Sequence, residues 1–453
     1  MKPLSLPDQM FLLLERRNQP MHVGSLMLLT PPPDAGPDYV QRMVETFEKA
    51  TVAQPPFNQR LSYKLGVPFW VEDKDFDLEA HVQHLTLPKP GRIRELLSLV
   101  GKLHSGLMDR AKPLWECYLI DGIEDGRIAV YSRIHHAMMD GVAGMRMLQK
   151  SFSTDPDMRG VPPFWALEKP KRETSMVEQV TKPISKAARL AATMKAQAAT
   201  WPKVSTELVK SIRSRGKDPD FVSVFQAPKT ILNQRISASR RFAAQSWQLE
   251  RFKAVSQRHQ CTLNDAVLAV CASALRKYLD ELGALPAEPL VAMVPMSLRR
   301  DDSDAGNQIG MVLANLATQI ADPLERLAAI SRSVQNSKSR FADMTQLEIM
   351  NYVGTAMSLN GINMATGIAP TWQAFNIVIS NVPGPRQTLY FNGAKLEGIY
   401  PVSIAMDGQA TNITVFSYVD KLEIGIIACR RTLPHMQRLL KYLEEGLVEL
   451  EQA

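Results

Sequence analysis

Ile128-Ala129-Val130-Tyr131-Ser132-Arg133-Ile134-His135-His136-Ala137-Met138-Met139-Asp140-Gly141 is the stretch on which the reading of this chain turns. The apolar run from Ile128 has the character of a buried strand. It ends in two histidines, and a short turn then leads through Asp140-Gly141 into a helix expected from about Val142 to Ser151. Side chains alternate faces along a strand. If the strand persists, His135 and His136 cannot share a cavity, so one is expected at the chemistry and the other in a supporting place. Asp140 is positioned to cap the helix, or to bind an arginine and hold the turn. Gly141 would let the backbone turn sharply or approach a neighbour. An imidazole, with an ordinary pKa of about 6.5, is largely free base near neutral pH and suits removal of a proton from an alcohol. The segment alone equally fits two satisfied core histidines. A metal site fits poorly, because adjacent strand histidines diverge and no third ligand stands nearby.

Outward from this stretch, Trp115 to Ile120 and Arg127 to Ile134 read as strands joined by the turn Glu124-Asp125-Gly126. Helical spacing marks Tyr39 to Thr51 and Glu95 to Leu107. These elements make an N-terminal lobe over residues 1–165. Residues 166–230 change in character, with more Ala, Lys and Ser and few aromatics. There Val177, Val180, Ile184, Ala187, Ala191, Met194 and Ala198 fall at helical spacing, with Pro183 and Pro202 expected to interrupt or split the helix. Residues 231–453 form a second mixed region. It has helices expected at Thr262 to Leu282, Leu324 to Ser339 and Pro434 to Leu450. Strands are expected at Leu290 to Val294, Phe375 to Ser380, Ile413 to Val419 and Leu422 to Cys429. Helices and strands interspersed in both halves point to two α/β lobes.

The net charge of +7 is local. Residues Ala166 to Lys217 hold 12 Lys/Arg against 4 Asp/Glu, whereas the remainder is nearly neutral. A basic amphipathic segment fits an anionic lipid surface. It fits equally a connector packed on its own protein. The four cysteines are scattered in apolar runs without a C-x-x-C pair, as expected of reduced thiols in a cytosolic protein. No run approaches the roughly 18 apolar residues that span a bilayer. The apolar stretch Met10 to Leu14 is cut off by Glu15-Arg16-Arg17 and does not read as a signal peptide. There is no G-x-S-x-G elbow, no phosphate-binding P-loop and no G-x-G-x-x-G.

H-H-x-x-x-D-G is also the signature of a superfamily that includes chloramphenicol acetyltransferase-like enzymes and peptide-synthetase condensation domains. The chain more specifically resembles the bacterial bifunctional wax ester synthase/diacylglycerol acyltransferase family, along nearly its whole length. The matching landmarks are Gln19-Pro20-Met21-His22-Val23-Gly24, Pro113-Leu114-Trp115-Glu116, His135 to Gly141, Asn264-Asp265-Ala266-Val267-Leu268-Ala269, Val294-Pro295-Met296-Ser297-Leu298-Arg299 and Asn381-Val382-Pro383-Gly384-Pro385.

The resemblance implies two chloramphenicol acetyltransferase/condensation-domain-like lobes with a central tunnel, joined by the helical linker. It implies a fatty acyl-CoA as acyl donor and a long-chain alcohol or diacylglycerol as acceptor. Acyl-CoA is then a substrate, and no cofactor, metal or nucleic acid is expected. His136 corresponds to the family's general base, with His135 supporting and Asp140 structural. Asn264 is a candidate oxyanion donor or, alternatively, a helix cap. Asp140 is a candidate partner for Arg299. Met138, Met139, Met145 and Met147 crowd the motif helix, where an adaptable side chain suits an apolar channel or ordinary core filling. The residues that bind substrate are not identified. The expected setting is cytoplasmic, with peripheral contact to the inner membrane or lipid inclusions. Two alternatives are a condensation-type acyltransferase with another acceptor and a lipid-droplet-binding protein.

Overall fold

The computed structural model describes residues 2–168, 186–213, 222–223, 226–297, 309–341, 344–345, 347–349, 351–352, 354–355 and 374–453. The N-terminal part runs β1 (Lys2–Pro3), α1 (Leu6–Leu14), β2 (His22–Thr30), α2 (Tyr39–Lys49), β3 (Gln59–Lys64), β4 (Val67–Glu72), β5 (Val82–Thr86), α3 (Ile93–Leu103), β6 (Trp115–Asp121), β7 (Ile128–His135) and α4 (Gly141–Gln149). Helix α5 (Lys186–Arg213) follows. The C-terminal part runs β8 (Arg240–Gln248), α6 (Leu249–Arg258), α7 (Leu263–Glu281), β9 (Val291–Ser297), β10 (Ile309–Asn315), α8 (Pro323–Phe341), β11 (Ile377–Val382), β12 (Tyr390–Phe391), β13 (Ala394–Val402), β14 (Thr411–Tyr418), β15 (Lys421–Cys429) and a closing helix Arg438–Gln452.

Two six-stranded sheets form the lobes, in the orders β12-β13-β2-β7-β6-β5 and β10-β9-β11-β14-β15-β8. A smaller sheet, β1-β4-β3, stands beside the first. β7 is buried at all eight positions, because β2 and β6 pair with its two edges and apolar clusters cover its two faces. In the second lobe α7 is enclosed by α6, α8, the closing helix and the sheet. That enclosure explains its nearly all-round apolar sequence, since a helix with no wet face needs no polar stripe.

The sheets do not divide as the chain does. β13 crosses back from the C-terminal part and pairs antiparallel with β2, from Lys395↔Thr30 to Val402↔Gly24. Residues 390–402 thus complete the sheet that carries the histidine motif, although they lie far beyond residue 231 in sequence. One apolar cluster joins Leu26, Tyr118 and Tyr131 to Phe242, Val402 and Ile427. Polar ties add to it: Arg240 Nη2 donates to Asn18 O at 2.7 Å, and His104 Nε2 lies 2.8 Å from Ser403 O.

The interruption expected at Pro202 is not seen, and α5 runs through it as one helix. Proline removes an N–H donor from a helix interior, a loss that tertiary packing can offset. Here Val204 is buried in the C-terminal core, and Asn351 Nδ2 donates to Thr200 Oγ1 at 2.7 Å. Lys203 and Glu207 reach Glu348 and Arg340. The second half of α5 is therefore packed on protein. Pro183 lies outside the described residues, and among the described residues no helix is long and apolar enough to cross a membrane.

Candidate active site

β7 ends at His135, and residues 136–138 form a turn closed by Met138 N–H donating to His135 O at 2.8 Å. The two histidines therefore part company through the turn as well as through strand alternation. His135 is fully buried. Its Nδ1 accepts from Ala137 N–H at 3.1 Å, which leaves Nε2 to carry the proton. Nε2 points toward Glu15 Oε1, 3.3 Å away. The supporting place expected for His135 is thus beside a carboxylate.

Glu15 is the residue that sequence reading missed. It follows the last turn of α1, and Arg110 holds its Oε2 through Nε and Nη2 at 3.0 and 2.8 Å. Arg110 Nη2 also donates to Leu12 O at 2.7 Å, and Met21 N–H donates to Glu15 Oε1 at 3.2 Å. Burial alone would raise the Glu15 carboxyl, but His135, Arg110 and the Met21 N–H outweigh it and hold the pKa below its ordinary value. The only sequence signal was an acid ending an apolar run, which does not by itself indicate a distant partner.

His136 is half-buried. Its backbone N–H donates to Met21 O at 2.8 Å, and its ring lies flat on Phe11, with centroids 3.8 Å apart and planes 16° from parallel. Burial lowers its pKa, and the Asp140 carboxylate opposes that in part. The imidazole is thus poised as a neutral base, and no side-chain hydrogen bond to another described residue occupies its ring nitrogens.

Asp140 caps α4, its Oδ1 accepting from Ala143 N–H at 2.7 Å. The pairing with Arg299 lies outside the described residues. Of the two uses weighed for Gly141, a sharp turn or a close approach to a neighbour, the close approach is not seen. A Cβ there would meet nothing within 4 Å, so the glycine leaves open space at the first turn of α4. Met145 is buried in the N-terminal core, and Met138, Met139 and Met147 pack partly buried against it.

Asn264 stands in the first turn of α7, in the other lobe. The cap there is Thr262, whose Oγ1 accepts from Asp265 N–H while Asp265 Oδ2 accepts from Thr262 N–H. The cap role weighed for Asn264 therefore belongs to its neighbours. Asn264 Nδ2 is buried and makes no hydrogen bond among the described residues. Nor does any hydrogen bond join Asn264 to either motif histidine among the described residues. A cleft of about 740 Å³ opens between the start of α7 and α8, lined by Gln260, Thr262, Asp265, Ser331 and Gln335. No motif residue lines it, so the histidine site rests on the side-chain geometry above.

Two of the remaining landmarks hold residues fixed by close packing. Trp115 is fully buried, donates Nε1–H to Phe57 O at 2.8 Å and packs on Trp165. Gly384 sits where a Cβ would come within 2.1 Å of Ser417 O. Among the described residues, no group of three or more His, Cys, Asp or Glu side chains could hold a metal ion.

Two mixed α/β lobes with an H-H-x-x-x-D-G turn at the end of a central strand define the condensation-type acyltransferase fold. The trichothecene 15-O-acetyltransferase from Fusarium sporotrichioides shares it, with a TM-score of 0.63 at 13% identity over 99% of this chain and 94% of that one. Within that fold the chain belongs to the wax ester synthase/diacylglycerol acyltransferase family, and it is an O-acyltransferase. The family's catalytic domain matches residues 4–267 and its C-terminal domain residues 305–451. The O-acyltransferase WSD of Acinetobacter baylyi is 52% identical over 449 residues, 99% of this chain and 96% of that protein. The wax ester synthase/diacylglycerol acyltransferase from Marinobacter aquaeolei VT8 superposes with a TM-score of 0.81 at 45% identity, covering 100% and 99% of the two chains.

Proposed function

We propose that the chain transfers the acyl group of a fatty acyl-CoA directly to the hydroxyl of a long-chain alcohol or a diacylglycerol, giving wax esters and triacylglycerols, with His136 as general base. The observation that carries this reading is His136 itself: half-buried, its pKa lowered by burial, and with no side-chain hydrogen bond to its ring nitrogens among the described residues. It takes the proton from the alcohol as that oxygen attacks the thioester carbonyl. The tetrahedral intermediate then collapses, the C–S bond breaks, and His136 returns the proton to the departing thiolate. No acyl-enzyme is needed, because both substrates meet at one base. Asn264 Nδ2, buried without a partner, is the donor assigned to the oxyanion; one such donor is commonly worth about 2.7–4 kcal/mol. His135 serves by fixing the turn, and Asp140 by starting α4. No cofactor enters the scheme. The proposed setting is cytoplasmic, with peripheral contact to the inner membrane or lipid inclusions.

The test is thiol release from palmitoyl-CoA by the purified chain, with hexadecanol, a diacylglycerol or an amine as acceptor. Thiol release with the alcohols but not the amine is expected. Release only with the amine would instead establish a condensation-type reaction. Asn264→Ala should lower turnover about 100- to 1,000-fold with the melting temperature unchanged. Lost stability with intact turnover per folded molecule would return Asn264 to a structural role.

A further inference from the structure

Five of the exposed large apolar side chains lie on the three-stranded sheet and the helix that follows its first strand. Met10 and Leu13 stand out from α1, and Tyr63, Leu65 and Val67 from the β3–β4 hairpin. Leu65 is 98% exposed and Leu13 73%. The start of α1 adjoins the hairpin, because β1 pairs with β4 and Leu4 N–H donates to Pro68 O at 3.3 Å, just before α1 begins. The hairpin tip is Leu65-Gly66, with φ of 50° and 77°. Two consecutive left-handed residues make a turn that favours Asn-Gly. A leucine there is costly to the backbone and gains nothing from burial in the fold. Its presence calls for an external apolar phase.

The charges around this patch select the kind of phase. Lys64 is exposed at the tip, and Arg16 and Arg17 are exposed just past α1. None of the three makes an ion pair among the described residues. The acidic run Glu72 to Asp77 lies at the far end of β4, roughly 16 Å from the tip at strand rise. Arg16 and Arg17 lie about 15 Å along α1 from its start, with Asp8 in its first turn, so Lys64 is the cation at the apolar tip; an apolar tip beside such a cation suits anionic headgroups over acyl chains. The opposite side of α1 carries Phe11, stacked on His136, and ends at Glu15 beside His135. The patch is therefore one helix thickness from the chemistry.

We infer that the β3–β4 tip and the outer face of α1 form the surface by which this chain docks on an anionic phospholipid layer. The inference takes its purpose from the reading that the acceptor is a lipid, but docking itself needs neither substrate. It places the lipid contact away from the packed half of α5.

The experiment is flotation of the full chain with vesicles of phosphatidylcholine and phosphatidylglycerol, without acyl-CoA or alcohol. Leu65→Asn is the informative variant, since asparagine suits the turn and should fold at least as well. It should reduce vesicle binding at least about tenfold, with Leu13→Gln adding a similar loss. Arg16→Ala with Arg17→Ala and Lys64→Ala should remove the preference for anionic over pure phosphatidylcholine vesicles and flatten the salt dependence. Turnover of a water-soluble short-chain alcohol should be unchanged in Leu65→Asn, which separates this proposal from the reaction it rests on. Wild-type flotation by Leu65→Asn would overturn the proposal. So would a change in its sedimentation size with vesicle binding intact, which would assign the patch to a second copy of the chain.

Discussion

The surroundings of His135 and His136 are of opposite character, although the residues are adjacent. His135 is sealed against a carboxylate that an arginine holds in place, with each ring nitrogen facing a specific group. His136 has an aromatic ring on one side, a carboxylate one helix cap away, and no side-chain hydrogen bond to its nitrogens among the described residues. One imidazole is used for shape and the other for chemistry. The difference arises because α1 lies across the motif: its end supplies Glu15 to one ring, and its middle supplies Phe11 to the other.

The sharpest way to break this contrast is to remove each ring. His136→Ala should lower turnover about 100- to 10,000-fold and leave unfolding free energy within about 1 kcal/mol. His135→Ala should cost stability of about 1–3 kcal/mol, because it strips a buried carboxylate of a partner. Turnover and denaturant melts of both variants decide it; equal losses in both readouts would erase the distinction.

Next in size, Glu15→Gln keeps the shape and removes the charge. It should cost about 1–3 kcal/mol at neutral pH. The sign of its pH dependence follows from the lowered folded pKa of Glu15. The stabilisation is present above the unfolded value of 4.5 and is lost as pH falls through the folded value. Melts of wild type and variant should therefore converge in acid. A constant gap down to that range would show that the carboxylate charge is not what holds His135.

A smaller effect separates charge from capping at Asp140. Asp140→Asn retains a good cap but removes the carboxylate that raises the His136 pKa. In the wild type the acid limb of kcat/KM should lie below the ordinary 6.5 of histidine, and in Asp140→Asn lower still. An acid limb that moves upward would show that Asp140 acts on some other group.

The smallest effect is expected at Gly141. Gly141→Ala meets open space, so stability should stay equal or rise by up to about 1 kcal/mol. A fall in turnover at unchanged stability, read in the same thiol assay, would show that substrate uses that space.

The motif was readable because its elements are local. Ile128 to Ile134 is an uninterrupted apolar run, and Asp140 lies one residue before the helix it caps. Helices α2 and α8 were equally plain, since each is apolar on one side only. β2 and β13 were not. β2 is buried on both sides and shows no alternation, and β13 holds Gly398 and Pro401, which ordinarily weaken a strand assignment. Glu15 escaped because its partners, His135 and Arg110, are brought to it only by the fold. Pro202 misled because the local cost of proline was offset by burial of the neighbouring Val204.

The return of β13 to the first sheet sets the timing of folding during synthesis. Until residue 402 has left the ribosome, β2 offers a long bare edge, open to any extended chain nearby. The half that bears the histidines is begun first but completed only after much of the second half has been made. A nascent chain halted before β13 would be the form most in need of a chaperone, whatever the stability of the completed molecule.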